Sequence, residues 1–433
     1  MKKRLVILLL SLSSCAWAAD IKISVDREDG IYSLGEDAVW QIETVHLDEG
    51  DQAPQSAKYQ LLSNGLQKLD EGTLEFSGGH ASYSATRDDP GTLLLVVEAA
   101  GVEKAYGGAA FDPSELSPAI PRPEDFEQFW AKKRALADTI PLNPVLTEEA
   151  SPVQGVQLWQ LTVDNINESH VRGQLARPDS TEKKLPALLI VQWAGVYPLK
   201  KSWSTNAAED GWLVLNIQAH DIPLYESQTF YDELKSGPLN RYNAIGNDDR
   251  ETSYFLRMYL GCYQAVRYLT SRPDWDGKTL VVRGSSQGGM QALVTAALCN
   301  EVVTAAIAKV PAGSDQSGPL VGRKPSWPGS FYKTTGKDEE KVHKTSAYFD
   351  VINFCPDILC PTLIGMGLAD TTCPAPGIFI AANEMPGPVE LITMPSAGHK
   401  STRLNPHAWF SREERVWLEK LGNGEVPLAD IDE

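Results

Sequence analysis

Thr279-Leu280-Val281-Val282-Arg283-Gly284-Ser285-Ser286-Gln287-Gly288-Gly289-Met290 decides the fold of this chain. The run 279–282 has the apolar, β-branched character of a buried strand, and 290–298 is helix-forming. Between them Gly284-x-Ser286-x-Gly288 must reverse the chain within a few residues. Side chains at 284 and 288 would collide in a turn tight enough to lift the Ser286 hydroxyl above a sheet, so both glycines are steric requirements of a nucleophile elbow.

A serine hydroxyl attacks poorly until a base takes its proton, and that base needs an orienting carboxylate. Behind an elbow of this type the acid follows the serine in sequence and the histidine follows the acid. Asp370 fits the first role, in Gly367-Leu368-Ala369-Asp370-Thr371-Thr372-Cys373-Pro374 just past a strand predicted over 361–365. His399 fits the second, in Ser396-Ala397-Gly398-His399 after a strand at 389–394. Both sit at C-terminal strand ends, where open α/β sheets place their sites. A tetrahedral intermediate also needs two N–H donors. Gln287, opening the helix, supplies one; Val196 or Tyr197, in Trp193-Ala194-Gly195-Val196-Tyr197 after a strand at 185–192, supplies the other. Trp193 and His220 are the expected substrate contacts, His220 alternatively ordering the site's loop. His46, His80, His170, His343 and His407 read as structural.

Outward from the elbow, strands at 158–163, 171–176, 185–192, 212–217, 303–308, 361–365 and 389–394 alternate with helices, including one over 253–270. Its apolar residues Phe255, Tyr259, Cys262, Val266 and Leu269 recur at helical spacing. Continuous apolar strands alternating with helices imply a mostly parallel sheet covered on both faces, an α/β domain over 124–422. Before it, 20–111 carries short alternating runs such as Ile21-Lys22-Ile23-Ser24-Val25, with turns at Ser63-Asn64-Gly65 and Ser77-Gly78-Gly79. This reads as a small all-β, immunoglobulin-like sandwich, a spacer or docking module. Pro113, Pro118, Pro121 and Pro123 make 112–123 a stiff linker, and 423–433 is an acidic tail.

Lys2-Lys3-Arg4, an apolar run over 5–12 and Ala16-Trp17-Ala18 read as an export signal over 1–18, too short to span a membrane. Leu12-Ser13-Ser14-Cys15 also resembles a lipobox, which would make Cys15 a lipid anchor. Either route gives a periplasmic or extracellular protein. Five further cysteines, Cys262, Cys299, Cys355, Cys360 and Cys373, are an odd number for an oxidising compartment, so at least one is free or pairs between chains. They lack paired C-x-x-C elements, so no metal site is expected, and nothing calls for a cofactor.

With 433 residues, 42% of them hydrophobic and 22% charged, the chain has ample apolar surface to fold. Its net charge of −18 argues against nucleic acid as the partner.

From about 121 to 421 the sequence resembles the acetyl xylan esterase and cephalosporin-C deacetylase group, carbohydrate esterase family seven, of the α/β-hydrolase fold. The likeness rests on Arg122-Pro123-Glu124-Asp125-Phe126 with Phe129-Trp130, Val191-Gln192-Trp193, Arg267-Tyr268-Leu269, Pro273-Asp274-Trp275-Asp276, 284–289, Asp370-Thr371-Thr372-Cys373-Pro374 with Pro376, and Gly398-His399. It implies a secreted serine esterase that removes O-acetyl groups from plant polysaccharide such as xylan through Ser286, His399 and Asp370. It also implies a ring-shaped homo-oligomer, which the extra sandwich stands to obstruct. Where the family has Arg-Gly-Gln after its fourth strand this chain has Gln218-Ala219-His220-Asp221, and Lys400 replaces a glutamate after the histidine. The triplet Arg172-Gly173-Gln174, on an earlier strand, reads as coincidence. Competing functions are a broader carboxylesterase or peptidase of the same fold and, in another class, a catalytically silent surface carbohydrate-binding protein.

Overall fold

The structure is a computed structural model and describes residues 19–45, 53–179 and 183–428. The expected export segment 1–18 with Cys15, and the last residues of the acidic tail, lie outside the described residues.

Eight strands form the N-terminal region: β1 (Asp20–Val25), β2 (Ile31–Tyr32), β3 (Ala38–Val45), β4 (Ser56–Ser63), β5 (Gln67–Glu75), β6 (His80–Ala85), β7 (Gly91–Glu98) and β8 (Ala105–Phe111). They make two sheets, β1-β3-β6 and β2-β8-β7-β4-β5, all antiparallel except the short β2–β8 pair. Trp40, Ile42, Leu93, Leu95 and Phe111 fill the space between them. Strand β7 is apolar on both faces. Leu93, Leu95 and Val97 point into the sandwich, whereas Leu94 and Val96 are buried on the other side with Ala369. A strand so patterned needs cover on its outer face, and the second domain supplies it.

The expected linker is docked rather than free. Pro113–Glu115 form a 3₁₀ turn, and the Asn383 amide donates to the carbonyls of Pro113, Ser114 and Leu116, while Arg323 Nη2 donates to that of Ser117. Pro113 O also accepts locally from Leu116 N, and the neighbouring domain supplies the remaining donors to this segment.

Helix α1 (Phe126–Asp138) leads into nine strands: β9 (Val145–Glu149), β10 (Val156–Asp164), β11 (His170–Pro178), β12 (Leu185–Val191), β13 (Leu213–Ile217), β14 (Trp275–Ser285), β15 (Ala305–Lys309), β16 (Thr362–Gly367) and β17 (Val389–Met394). Their order is β17-β16-β15-β14-β12-β13-β11-β10-β9. Pairings from β17 to β13 are parallel, and those from β13 to β9 are antiparallel. Helices α2 (Ser202–Glu209), α3 (Gln228–Ser236), α4 (Tyr254–Ser271), α5 (Gln287–Leu298), α6 (Glu339–Ser346), α7 (Ala375–Asn383) and α8 (Ala408–Gly422) complete the domain. Separate apolar clusters on the two sheet faces, one around α4 and α5 and the other around α8, give the layered α/β-hydrolase architecture. Every residue of α5 is buried, so the helix behind the elbow is fixed on all sides.

Candidate active site

Strand β14 delivers the chain to Ser286 at φ 57°, ψ −120°, a positive-φ conformation that a non-glycine residue adopts only under constraint. The constraint is visible. A Cβ on Gly284 would stand 2.4 Å from the Gly288 carbonyl, and one on Gly288 would stand 2.4 Å from the Val191 oxygen. The Ser286 amide donates to Lys309 O at 2.9 Å, and its carbonyl accepts from Met290 and Ala312. The hydroxyl is thereby aimed at His399: Ser286 Oγ and His399 Nε2 are 2.9 Å apart.

His399 Nδ1 in turn lies 2.7 Å from Asp370 Oδ2. The Asp370 carboxylate is fully buried and its other oxygen accepts the amides of Thr372 (2.7 Å) and Cys373 (2.8 Å). With Oδ1 taken up by two backbone donors, Oδ2 is the oxygen that accepts from Nδ1–H, which leaves Nε2 as the acceptor facing serine. Ala369 N donates to Ala397 O, tying the acid loop to the histidine loop.

His407, read from sequence as structural, backs this arrangement. Its Nε2–H donates to Gly398 O at 2.9 Å, beside His399. Burial depresses its basicity, so the ring stays neutral. Cys373 is also close: ligand atoms of Asp370, Cys373 and His399 lie within 4.8 Å of one another. Two of these side chains already hydrogen-bond each other, and burial raises the Cys373 thiol so that it keeps its proton. The set is therefore disposed for proton transfer more than for holding a metal.

Gln287 opens α5, so its amide has no acceptor within the helix. Its side-chain oxygen accepts from Tyr242 Oη at 2.5 Å. Gln291 Nε2 donates to Gln192 O at 2.9 Å, fixing the start of the loop after β12 against the same helix. Farther along, His220 Nε2 donates to Gly195 O (2.9 Å) and Gln218 Nε2 to Tyr197 O (2.7 Å). Because Gly195 O can only accept, Nε2 carries the proton, and Nδ1 accepts from Tyr254 Oη at 2.6 Å. In the planar trans peptide Gly195–Val196, an oxygen held by His220 turns the Val196 N–H to the opposite side, away from His220.

The expectation that His220 meets substrate is corrected here: the residue is 1% exposed, and burial lowers its pKa to about 4. It orders the loop from behind. Of the pair offered for the second donor, Val196 has its peptide oriented by a buried side chain, and its own side chain packs on Ile222 and Tyr231. Tyr197 instead stacks on Trp193 (centroids 5.2 Å, 22° between planes), and its hydroxyl donates to Trp193 O. Trp193 is 42% exposed, with Trp203 edge-on at 4.9 Å, and so offers an open aromatic face at this rim. The dismissed triplet also has work. Arg172 Nε pairs with Asp221 at 2.6 Å, and Gln174, fully buried, accepts from Asn216 and Ser204.

A family model described as acetyl xylan esterase (AXE1) matches residues 114–412. The chain is 29% identical over 400 residues to a protein named acetyl esterase Axe7A from Xylanibacter ruminicola, covering 91% of this chain and 89% of that one. Among solved structures it is similar to the acetyl xylan esterase from Paenibacillus sp. R4, at 23% identity and a TM-score of 0.58, covering 70% of this chain and 98% of that one. It is similar also to acetyl xylan esterase 1 from Thermoanaerobacterium sp. JW/SL YS485, at 22% identity and a TM-score of 0.61, covering 71% and 97%. At these identities the two structures speak for the fold. Among the described residues no helix is long and apolar enough to cross a membrane.

Proposed function

This chain belongs to the acetyl xylan esterase family and is a carboxylic ester hydrolase, and from that premise we propose that it removes O-acetyl groups from plant polysaccharide by a Ser286–His399–Asp370 triad. His399 Nε2 takes the Ser286 proton as Oγ attacks the acetyl carbonyl. The amides of Gln287 and Val196 hold the oxyanion, and Asp370 stabilises the imidazolium. Collapse breaks the bond to the sugar oxygen, which leaves with the proton from His399, and an acetyl-enzyme on Ser286 remains. Water, deprotonated by His399, then releases acetate and restores the serine. Trp193 is the open surface on which a sugar ring would lie.

The observation that carries this reading is the run of contacts from Ser286 Oγ to His399 Nε2 at 2.9 Å and from His399 Nδ1 to Asp370 at 2.7 Å, on a serine in elbow conformation. A catalytically silent binding protein would have no use for that strained backbone. The name of the relative, an acetyl esterase, supports acetyl as the acyl group. The test is acetate release from acetylated xylan, mannan, pectin and cephalosporin C, together with fluorophosphonate labelling of the intact protein. Labelling on Ser286 with acetate released from polysaccharide is the expected result, whereas turnover of long acyl esters in preference to acetyl would replace this reading with a broader carboxylesterase. Export, supported by the 1–18 sequence, is tested by mass spectrometry: a mature chain beginning at Ala19 or at lipidated Cys15 is expected, and retained Met1 overturns it.

A further inference from the structure

The sandwich packs on the hydrolase domain, and among its contacts are the two loops that carry the acid and the histidine. On the acid side, Leu94 and Val96 of β7 bury Ala369, the residue before Asp370. Strand β8 comes so close that a Cβ on Gly108 would stand 2.2 Å from Leu368 O. A mid-strand glycine weakens a sheet, and its presence here marks an approach of backbone to backbone. On the histidine side, the Gly108 amide donates to Pro395 O at 2.9 Å, and Ser396 Oγ donates to Ile23 O at 2.6 Å. A third contact is the 63–66 turn, where Lys324 N donates to Asn64 O. Burial lowers the basicity of the half-buried Lys324 ammonium, an effect the Asp370 carboxylate offsets only in part.

The nucleophile is held differently. Ser286 bonds to Lys309, Met290 and Ala312, all within the hydrolase domain. Two members of the triad are therefore referenced to the sandwich and the third to the sheet. We infer that the N-terminal sandwich is a positioning element of the active site, setting where Asp370 and His399 stand relative to Ser286. The inference rests on the triad reading and extends it to a region that the hydrolase fold alone does not require. Its physical basis is the steepness of geometry in catalysis: a displacement of about an ångström between reacting groups costs on the order of 10²-fold in rate.

The test uses full-length variants with 4-nitrophenyl acetate. Gly108→Ala forces the acid loop away, and kcat falls about 10-fold or more with KM within about two-fold, because binding groups are untouched while proton transfer is misaligned. Fluorophosphonate labelling slows in parallel. Leu94→Ala, which opens a cavity against Ala369, lowers kcat by roughly three- to ten-fold, and Leu94→Met restores it. Asp70→Asn takes the charge off the acceptor shared by the Tyr59 and Tyr83 hydroxyls, weakening those hydrogen bonds on another part of the sandwich, and leaves kcat unchanged. Should Gly108→Ala fail to fold, the Leu94 pair decides. Wild-type kcat in folded Leu94→Ala, or an equal loss in Asp70→Asn, overturns the inference. Retained activity in Ser286→Ala would instead sink the triad reading itself, so the two failures are told apart.

Discussion

In the proposed mechanism the elbow around Ser286 and the loop around Val196 both present backbone to one reacting centre, but they are held by opposite means. The elbow is shaped mainly by neighbours in sequence, Gly284, Gly288 and the first turn of α5, joined by main-chain bonds to Lys309 and Ala312 that no side-chain substitution removes. The loop from Gln192 to Tyr197 is shaped by side chains from elsewhere, with Gln291 holding Gln192, His220 holding Gly195 and Gln218 holding Tyr197. A locally determined element survives loss of a distant partner. A remotely determined one fails when any tether is cut, since each carbonyl left behind is a buried acceptor without a donor.

The largest effect expected lies on the elbow side. Ser286→Ala lowers kcat for acetyl ester hydrolysis by roughly 10⁴- to 10⁶-fold, measured against an unchanged thermal transition, because no acyl-enzyme can form. On the loop side, His220→Phe removes the tether of the Gly195–Val196 peptide. Initial-rate kinetics should show kcat down by about 10², the scale of one oxyanion donor lost, with KM little moved and with His220→Gln, which keeps an N–H donor, between the two. An equal effect of Phe and Gln would break the contrast.

The same histidine gives the tether a pH signature. Its pKa is lowered from 6.5 to about 4 by burial, so the unfolded chain binds the proton first as pH falls. The stability it contributes is complete above pH 6.5 and is lost progressively toward pH 4. Between pH 7 and 4.5 that amounts to roughly 2 to 3 kcal/mol at 1.36 kcal/mol per pH unit. Asp350, fully buried and raised to about 7 by desolvation, acts with the opposite sign, gaining stability as pH falls from 7. Urea unfolding of wild type and His220→Gln at both pH values isolates the histidine as the difference between them. Finally, 4-nitrophenyl butyrate should turn over tens-fold more slowly than the acetate in kcat/KM, since each misfitting methylene beside a fixed loop costs about 1 to 3 kcal/mol. Equal values would mean that the tethered loop does not wall the acyl pocket.

This contrast also explains what could be read in the sequence. Strand, turn and helix around Ser286 were legible because their signals are adjacent, and Asp370 and His399 because each follows a strong apolar strand. His220 is legible from its position after β13, but its burial is not, since that depends on Tyr254 and Gly195 arriving from other parts of the chain. His407 carried no local signal at all, and its bond to Gly398 exists only once α8 docks. Helices α2 and α3 and strand β9 were missed because they are short and half-exposed, with little apolar periodicity to announce them. The docking of the sandwich did leave a trace. Leu93 to Val97 is apolar without alternation, and Gly107-Gly108 interrupts the next strand.

All five cysteines of the described residues are free and buried, and desolvation lifts every one of their thiols, Cys360 to about 11 and Cys262 to about 12. A thiol without thiolate character and without access does not react with an alkylating reagent. To such a reagent the native domain is silent, and each opening event exposes new sulfur. The slow arrival of label at Cys373, Cys262 or Cys355 would therefore report, without any added probe, how often the acid loop, the α4 helix or the segment before β16 comes apart from the rest.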